Sequence, residues 1–363
     1  MSFSRSKTIR PTIRRMQGYV PGEQPQDKRY VKLNSNENPY PPSPRVVEAL
    51  QQAISSDLRL YPDPVANRLR DKAAEVYGFT REHILAGNGS DDLLTMLMRT
   101  CIGPGDRVAY PVPTYSLYDE LVTMQDGQIV HVPFPEDFSL PPQLGEAEAK
   151  LTILCHPNAP SGTMPSLAQV DKLAQHVRGI LVIDEAYIDF AEETALPLIH
   201  KYPHVVILRT FSKSFSLAGM RVGLAFGHPE FMRQLLKVKD SYNINRLSIV
   251  AATAALEDYA WMQQNVAKIR TTRTRLTAAL RAFGYVVYDS HTNFVLARQP
   301  GVNQQLVYNS IKDQGVLVRY FSSPDLADCL RISIGSDEEI DALLTAVQHL
   351  RQTASTQHGT AHA

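Results

Sequence analysis

Thr210-Phe211-Ser212-Lys213-Ser214-Phe215-Ser216-Leu217-Ala218-Gly219-Met220-Arg221-Val222-Gly223 is the stretch on which the reading of this chain turns. The apolar run Val205-Val206-Ile207-Leu208 precedes it and predicts a buried strand. Lys213 therefore falls in a loop at a strand's carboxyl end, where open α/β sheets bind ligands. A lysine in a partly apolar pocket has its charged form disfavoured, and its neutral amine can attack a carbonyl to form a Schiff base. The surrounding hydroxyls, with Arg221 further along, suit a phosphate. Taken alone, the stretch reads as a serine-rich surface loop, because most lysines are solvated.

A second stretch, Ile180-Leu181-Val182-Ile183-Asp184-Glu185-Ala186-Tyr187, is another apolar strand that ends in a carboxylate. By itself Asp184 is a helix cap or a loop charge. Lys213 follows it by 29 positions, the length of one strand–helix–strand unit, so both residues are expected at one edge of a parallel sheet. A third stretch, Ile84-Leu85-Ala86-Gly87-Asn88-Gly89-Ser90-Asp91-Asp92, runs from a short strand through a glycine-rich turn into a helix. Ser90 is the expected N-cap. The free N–H groups of that first turn form an anion site, although Asp91 and Asp92 are also what a plain helix start prefers.

Two further strand ends carry polar or aromatic groups. Arg107-Val108-Ala109-Tyr110 leads to Pro111-Val112-Pro113-Thr114-Tyr115, where Tyr115 could stack on a flat heterocycle or belong to the core. Leu151-Thr152-Ile153-Leu154-Cys155 leads to His156-Pro157-Asn158-Ala159-Pro160-Ser161-Gly162, in which Asn158 can donate to a ring oxygen. His156, beside proline, reads as structural.

An aspartate paired with a Schiff-base lysine is the pyridoxal phosphate arrangement, in which the carboxylate keeps the pyridine nitrogen protonated. On these motifs, in this order, the chain resembles the fold-type I pyridoxal-phosphate-dependent aminotransferases, and among them the histidinol-phosphate aminotransferases. The resemblance covers residues 15 to 350. It implies an α/β fold, with a large domain holding a mostly parallel seven-stranded sheet between helices and a smaller α/β domain. It assigns Lys213 as the cofactor lysine, Asp184 to the ring nitrogen, and Tyr187 with Asn158 to the phenolic oxygen. Tyr115 covers the ring. Ser90, Asp91 through its backbone N–H, Thr210, Ser212 and Arg221 hold the phosphate, with Tyr61 of Tyr61-Pro62-Asp63-Pro64 reaching across a homodimer interface. Tyr19, Asn36, Arg319 and Arg331 are assigned to substrate, with Arg331 gripping its anionic end. The family usually has Asn and Thr where this chain has Ala159 and Ser161.

The implied reaction takes histidinol phosphate to imidazole acetol phosphate, with 2-oxoglutarate becoming glutamate. Aromatic or phenylalanine aminotransferases and threonine-phosphate decarboxylase share most of the motifs and stand as alternatives. A regulator built on the same fold normally carries an added DNA-binding domain, for which an arm of about 30 residues leaves no room.

The rest of the chain is consistent with a two-domain enzyme. Its 363 residues are 44% hydrophobic, and 37 basic side chains balance 37 acidic ones, which argues against nucleic acid or anionic membrane as partner. Cys101, Cys155 and Cys329 are an odd number, widely spaced, as in free thiols of a reducing compartment. Neither His-Glu-x-x-His nor Cys-x-x-Cys occurs in the chain, so no metal is expected. There is no membrane-length apolar run, and no apolar segment follows Arg5, Lys7, Arg10, Arg14 and Arg15. A cytoplasmic location is expected, a cleaved organelle presequence being the alternative.

Residues 1–30 read as an extended arm, rich in proline and packed on its own body or on a partner. Residues 31–245 are expected to form the large domain and 246–352 the small one. In the small domain, Ser248 to Phe283 is expected as one helix and Val316–Tyr320 as one strand, with Arg319 and Arg331 ending strands. Ser336 and Glu339 have capping-box spacing at the start of the last helix. A tail at 353–363 is expected to be disordered.

Overall fold

The computed structural model describes residues 8–19 and 22–359. Residues 1–7, 20, 21 and 360–363, which include parts of the expected arm and tail, lie outside the described residues. Thirteen strands occur among those described: β1 (Val31–Lys32), β2 (Ile84–Gly87), β3 (Arg107–Val112), β4 (Gln128–Pro133), β5 (Leu151–Cys155), β6 (Ile180–Asp184), β7 (Val205–Thr210), β8 (Gly223–Gly227), β9 (Val286–Val287), β10 (Phe294–Arg298), β11 (Val316–Leu317), β12 (Arg319–Tyr320) and β13 (Cys329–Ser333).

Seven of these form one sheet in the order β2-β8-β7-β6-β5-β3-β4. All are parallel except β8, which runs against both of its neighbours. The central strands are buried along their whole length, which is why they read as continuous apolar runs rather than alternating ones. This sheet places the site. Asp184 is the last residue of β6 and Thr210 the last of β7, and the two strands lie side by side in parallel. Gly223 pairs with both Gly87 and Thr210, so the turn after β2 reaches the same edge.

Gly223 has to be glycine. A Cβ there would lie 2.7 Å from the Ser90 backbone nitrogen and 2.8 Å from the Gly89 carbonyl carbon, distances that would push the turn and helix start off the sheet.

A second sheet, antiparallel, has the order β12-β13-β10-β9. The first strand, β1, pairs in parallel with β11, so the chain from Val31 onward is tied to the C-terminal part before it enters the large sheet. One apolar core runs from Leu33 through the large sheet to Val347. The arm packs on the chain's own body. It contains a short helix, Pro11–Arg15, and Arg10 and Thr12 both bond the Asp126 carboxylate.

The structure corrects several local expectations. Gly89, with φ of 85°, occupies the N-cap of the helix Ser90–Cys101, and Ser90 is its first residue. A glycine can take the positive φ that the tight turn requires, and this outweighs the capping preference of serine. The expected helix over 248–283 is two, Arg246–Glu257 and Tyr259–Ala282, broken at Asp258, whose carboxylate accepts the Ser43 hydroxyl. Val316–Tyr320 divides into β11 and β12, which belong to different sheets. Arg319 opens β12, and Arg331 is central in β13 rather than at its end. The final helix, Asp337–Gly359, passes through most of the tail expected to be disordered, since no glycine or proline interrupts it before Gly359. Its capping box forms: the Ser336 N–H donates to Glu339 at 2.8 Å and the Glu339 N–H to Ser336 at 3.3 Å.

Candidate active site

Lys213 is half-buried in the loop after β7. Its Nζ donates to the Ser35 carbonyl at 3.4 Å and lies 5.5 Å from the Tyr187 ring centroid. Desolvation, reinforced by the charge of Arg331, brings its pKa down to about 8. The loop carrying it is gripped from outside the sheet, where Asn38 Nδ2 donates to the carbonyls of Lys213 and Ser214, each at 3.1 Å.

Asp184 is 3% exposed. The Tyr118 hydroxyl donates to its Oδ2 at 2.7 Å and the Ala186 N–H to its Oδ1 at 3.2 Å. Desolvation pushes its pKa up to about 6, against the lowering effect of Tyr118. Asp91 acts electrostatically on both Asp184 and Lys213, which places the two in one neighbourhood. Tyr187 is buried, its hydroxyl accepts from Asn36 Nδ2 at 3.0 Å, and burial raises its pKa to about 12. Asn36 in turn accepts the Ser333 hydroxyl at 2.9 Å, so it links Tyr187 to β13.

An anion corner forms where the turn after β2 meets the lysine loop. Arg221 donates to Ser212 Oγ at 3.2 Å and to Asp91 Oδ2 at 3.2 Å. A Cβ on Gly89 would lie 2.7 Å from the Arg221 guanidinium, so the missing side chain is what admits the arginine. Thr210 donates to Ser212 Oγ at 3.1 Å and fixes that hydroxyl in the corner. The first-turn N–H groups of Ser90 and Asp91 open toward the same place, as helix geometry requires.

Arg319 and Arg331 sit directly opposite each other on β12 and β13. Like charges in that register repel, and among the described residues neither has a carboxylate within 4 Å. The Arg331 guanidinium lies 5.2 Å from the Phe294 ring centroid and 5.7 Å from that of Phe321, and donates to the Asn34 carbonyl at 3.1 Å. Its Nε is buried without a partner. Tyr19 packs edge-on against Tyr115 at 5.9 Å, and Tyr115 against Tyr118 at 5.6 Å, so the arm closes one side of the site.

Two predicted residues stand differently. Asn158 is buried, but its amide already donates to Pro113 O at 3.2 Å and to Ser161 Oγ at 2.9 Å, so a bond to a ring oxygen requires exchanging one of these. Tyr61 is 77% exposed and stacks on Tyr242 at 4.4 Å, outside its own chain's site. His156 is fully buried, with Nε2 bonded to the Pro165 carbonyl at 3.0 Å. Sequence reasoning gave no role to Tyr118, and placed Asn38 only within the segment Asn36-Glu37-Asn38-Pro39 that the resemblance puts along the site. Tyr118 lies in the first turn of the helix Leu117–Met124, which begins two residues after Tyr115, and that closeness in sequence to a strand-end loop is the only signal it offered.

The residues present fit pyridoxal phosphate on three observations. Asp184 is a buried carboxylate with no cationic partner among the described residues, which suits a protonated ring nitrogen. Lys213 is a desolvated amine with one long hydrogen bond. The Ser212–Arg221 corner at a helix start suits a phosphate.

A family model described as aminotransferase class I and II matches residues 28–347. A histidinol-phosphate aminotransferase of Trichormus variabilis is 44% identical over 344 residues, covering 94% of this chain and 98% of that one. One from Citrifermentans bemidjiense is 45% identical over 343 residues, with the same two coverages of 94% and 98%. Among solved structures, the histidinol-phosphate aminotransferase of Sinorhizobium meliloti in complex with pyridoxal 5′-phosphate superposes with a TM-score of 0.86 at 29% identity, covering 94% of this chain and 98% of that one.

Proposed function

The chain belongs to the class I and II aminotransferases, and on that premise we propose that it transfers the amino group of L-histidinol phosphate to 2-oxoglutarate, giving imidazole acetol phosphate and glutamate, with pyridoxal 5′-phosphate as cofactor. This is a step of histidine biosynthesis. The cofactor supplies an electron sink for the substrate's α carbon when it is bound. The observation that carries the reading is the pairing of the desolvated Lys213 amine with the buried, cation-free Asp184 carboxylate at one sheet edge.

Each residue then has a physical task. Asp184, held by Tyr118 and the Ala186 N–H, keeps the ring nitrogen protonated. Lys213 holds the cofactor between turnovers. Its amine, neutral at a lower pH than an exposed lysine's, would take the proton from the substrate's α carbon and hand it to the bound cofactor. Tyr187, with Asn158, binds the phenolic oxygen. Ser212, Thr210, Arg221 and the Ser90–Asp91 turn hold the phosphate, and Tyr115 covers the ring. Arg331 and Arg319, side by side and without an ion-pair partner among the described residues, bind the substrate's phosphate and, in the second half-reaction, a carboxylate of 2-oxoglutarate. Tyr19 closes over them and Asn36 sets the orientation of Tyr187.

The working form in this reading is a homodimer. Ile54, Leu58, Leu60 and Tyr61 are all exposed apolar side chains within one short segment, with Tyr242 beside them. Such a strip suits burial against a second copy, with Tyr61 reaching the partner's phosphate corner. Among the described residues no helix is long and apolar enough to cross a membrane, and the three cysteines are free, in keeping with a cytoplasmic location.

Mixing the yellow holoenzyme with histidinol phosphate, phenylalanine or threonine phosphate tests the substrate. The visible band should bleach rapidly with histidinol phosphate. Ready reaction with phenylalanine and none with histidinol phosphate would overturn the assignment, as would carbon dioxide release from threonine phosphate.

A further inference from the structure

Arg209 lies on β7, four residues before Lys213, and is buried. Its guanidinium is fully engaged on three sides. Nε donates to Glu185 Oε2 at 3.0 Å, Nη2 to the Thr194 hydroxyl at 2.8 Å, and Nη1 to Asp189 Oδ1 at 3.0 Å. Glu185 directly follows Asp184, and its other oxygen takes the Ala195 N–H at 2.6 Å. The second oxygen of Asp189 takes the hydroxyl of Ser214, which directly follows Lys213.

The result is a continuous path from Asp184 through Glu185, Arg209, Asp189 and Ser214 to Lys213. We infer that Arg209 and Asp189 are positioning residues, whose bonds to Glu185 and Ser214 fix the spacing between Asp184 and Lys213. Stability alone is a weak reason for the arrangement, because replacing a buried ion pair by apolar residues of similar volume is often neutral or stabilising. What an apolar cluster lacks is direction. Charge-assisted bonds to one chosen oxygen set the place of the neighbouring peptide, and catalysis is sensitive to displacements on the order of 1 Å. Asn38 grips the same peptide from the opposite side through the Lys213 and Ser214 carbonyls.

The inference rests on Lys213 being the cofactor lysine. Ser214→Ala in the holoenzyme tests it, because it removes one bond and leaves the buried ion pairs intact. Loss of anchorage is expected to lower kcat about tenfold, with KM for histidinol phosphate within about threefold. The pH midpoint of the visible band should shift by about half a unit or more, because protonation of the cofactor-linked Lys213 nitrogen depends on how firmly the loop holds it in place. Arg331, Glu37, Asp91 and Arg221, the charges acting on Lys213, are unchanged in this variant. Asp189→Asn keeps an oxygen toward Arg209 and turns an amide toward Ser214, so it should hold kcat within about threefold of the parent.

Parent-like kcat and midpoint in Ser214→Ala, with or without a fall in thermal stability, would overturn the inference. So would an Asp189→Asn enzyme as slow as Ser214→Ala, since charge and not the bond would then matter. The assignment beneath it fails separately: Lys213→Ala that kept the visible band would sink it whatever Ser214→Ala did.

Discussion

Burial makes the Asp184 carboxylate a poor anion. Its pKa in the folded chain rises from 3.8 to about 6, so between those values the folded state holds a proton that the unfolded state has lost. Stability from this group is therefore greatest below about pH 4 and falls as pH climbs through 6. Above that the charged side chain costs on the order of 1–3 kcal/mol. Asp184→Asn removes the charge and keeps the shape. In cofactor-free protein the variant should be more stable than the parent at pH 8 by about that amount, with the advantage gone at pH 4, as read by urea unfolding at the two pH values. A difference that does not depend on pH would show that the carboxylate is not desolvated in this way. The same strain favours function, because a proton on a ring nitrogen is the partner the buried carboxylate lacks.

At the scale of elements, the site depends on how closely the turn after β2 approaches β8. Gly223→Ala puts a methyl 2.7 Å from the Ser90 nitrogen, against backbone that cannot swing aside. The expected cost is about 1–3 kcal/mol in stability, with weaker cofactor binding in fluorescence titration because the helix start must lift. Unchanged cofactor affinity would contradict the anion corner built here. This was also where the sequence was most and least legible. Buried parallel strands leave uninterrupted apolar runs, so β5, β6 and β7, and with them the positions of Asp184 and Lys213, could be read directly. Long-range partners leave no local pattern. The break at Asp258 comes with a bond to Ser43, and Tyr118 reaches Asp184 from a helix 66 residues earlier in the chain. The split of β11 from β12 follows from their different sheets, which apolar periodicity does not encode. Gly89 took the cap from Ser90 because the turn demanded a positive φ, something a capping preference cannot report.

At the scale of the whole molecule, Tyr61 differs from the other proposed site residues in being exposed and stacked on Tyr242. If Tyr61 serves the partner, Tyr61→Ala and Lys213→Ala should each be impaired alone, and mixing and re-pairing them should restore activity. A mixed dimer contains one site with both residues intact. No recovery on mixing would place Tyr61 in its own chain's site or outside the reaction. Lys213 as the cofactor lysine is the claim on which every other role rests, and reduction of the holoenzyme with borohydride followed by peptide mapping tests it most directly. The pyridoxyl label is expected on Lys213 and nowhere else, and is expected to be absent from Lys213→Ala. A label on any other lysine would contradict it.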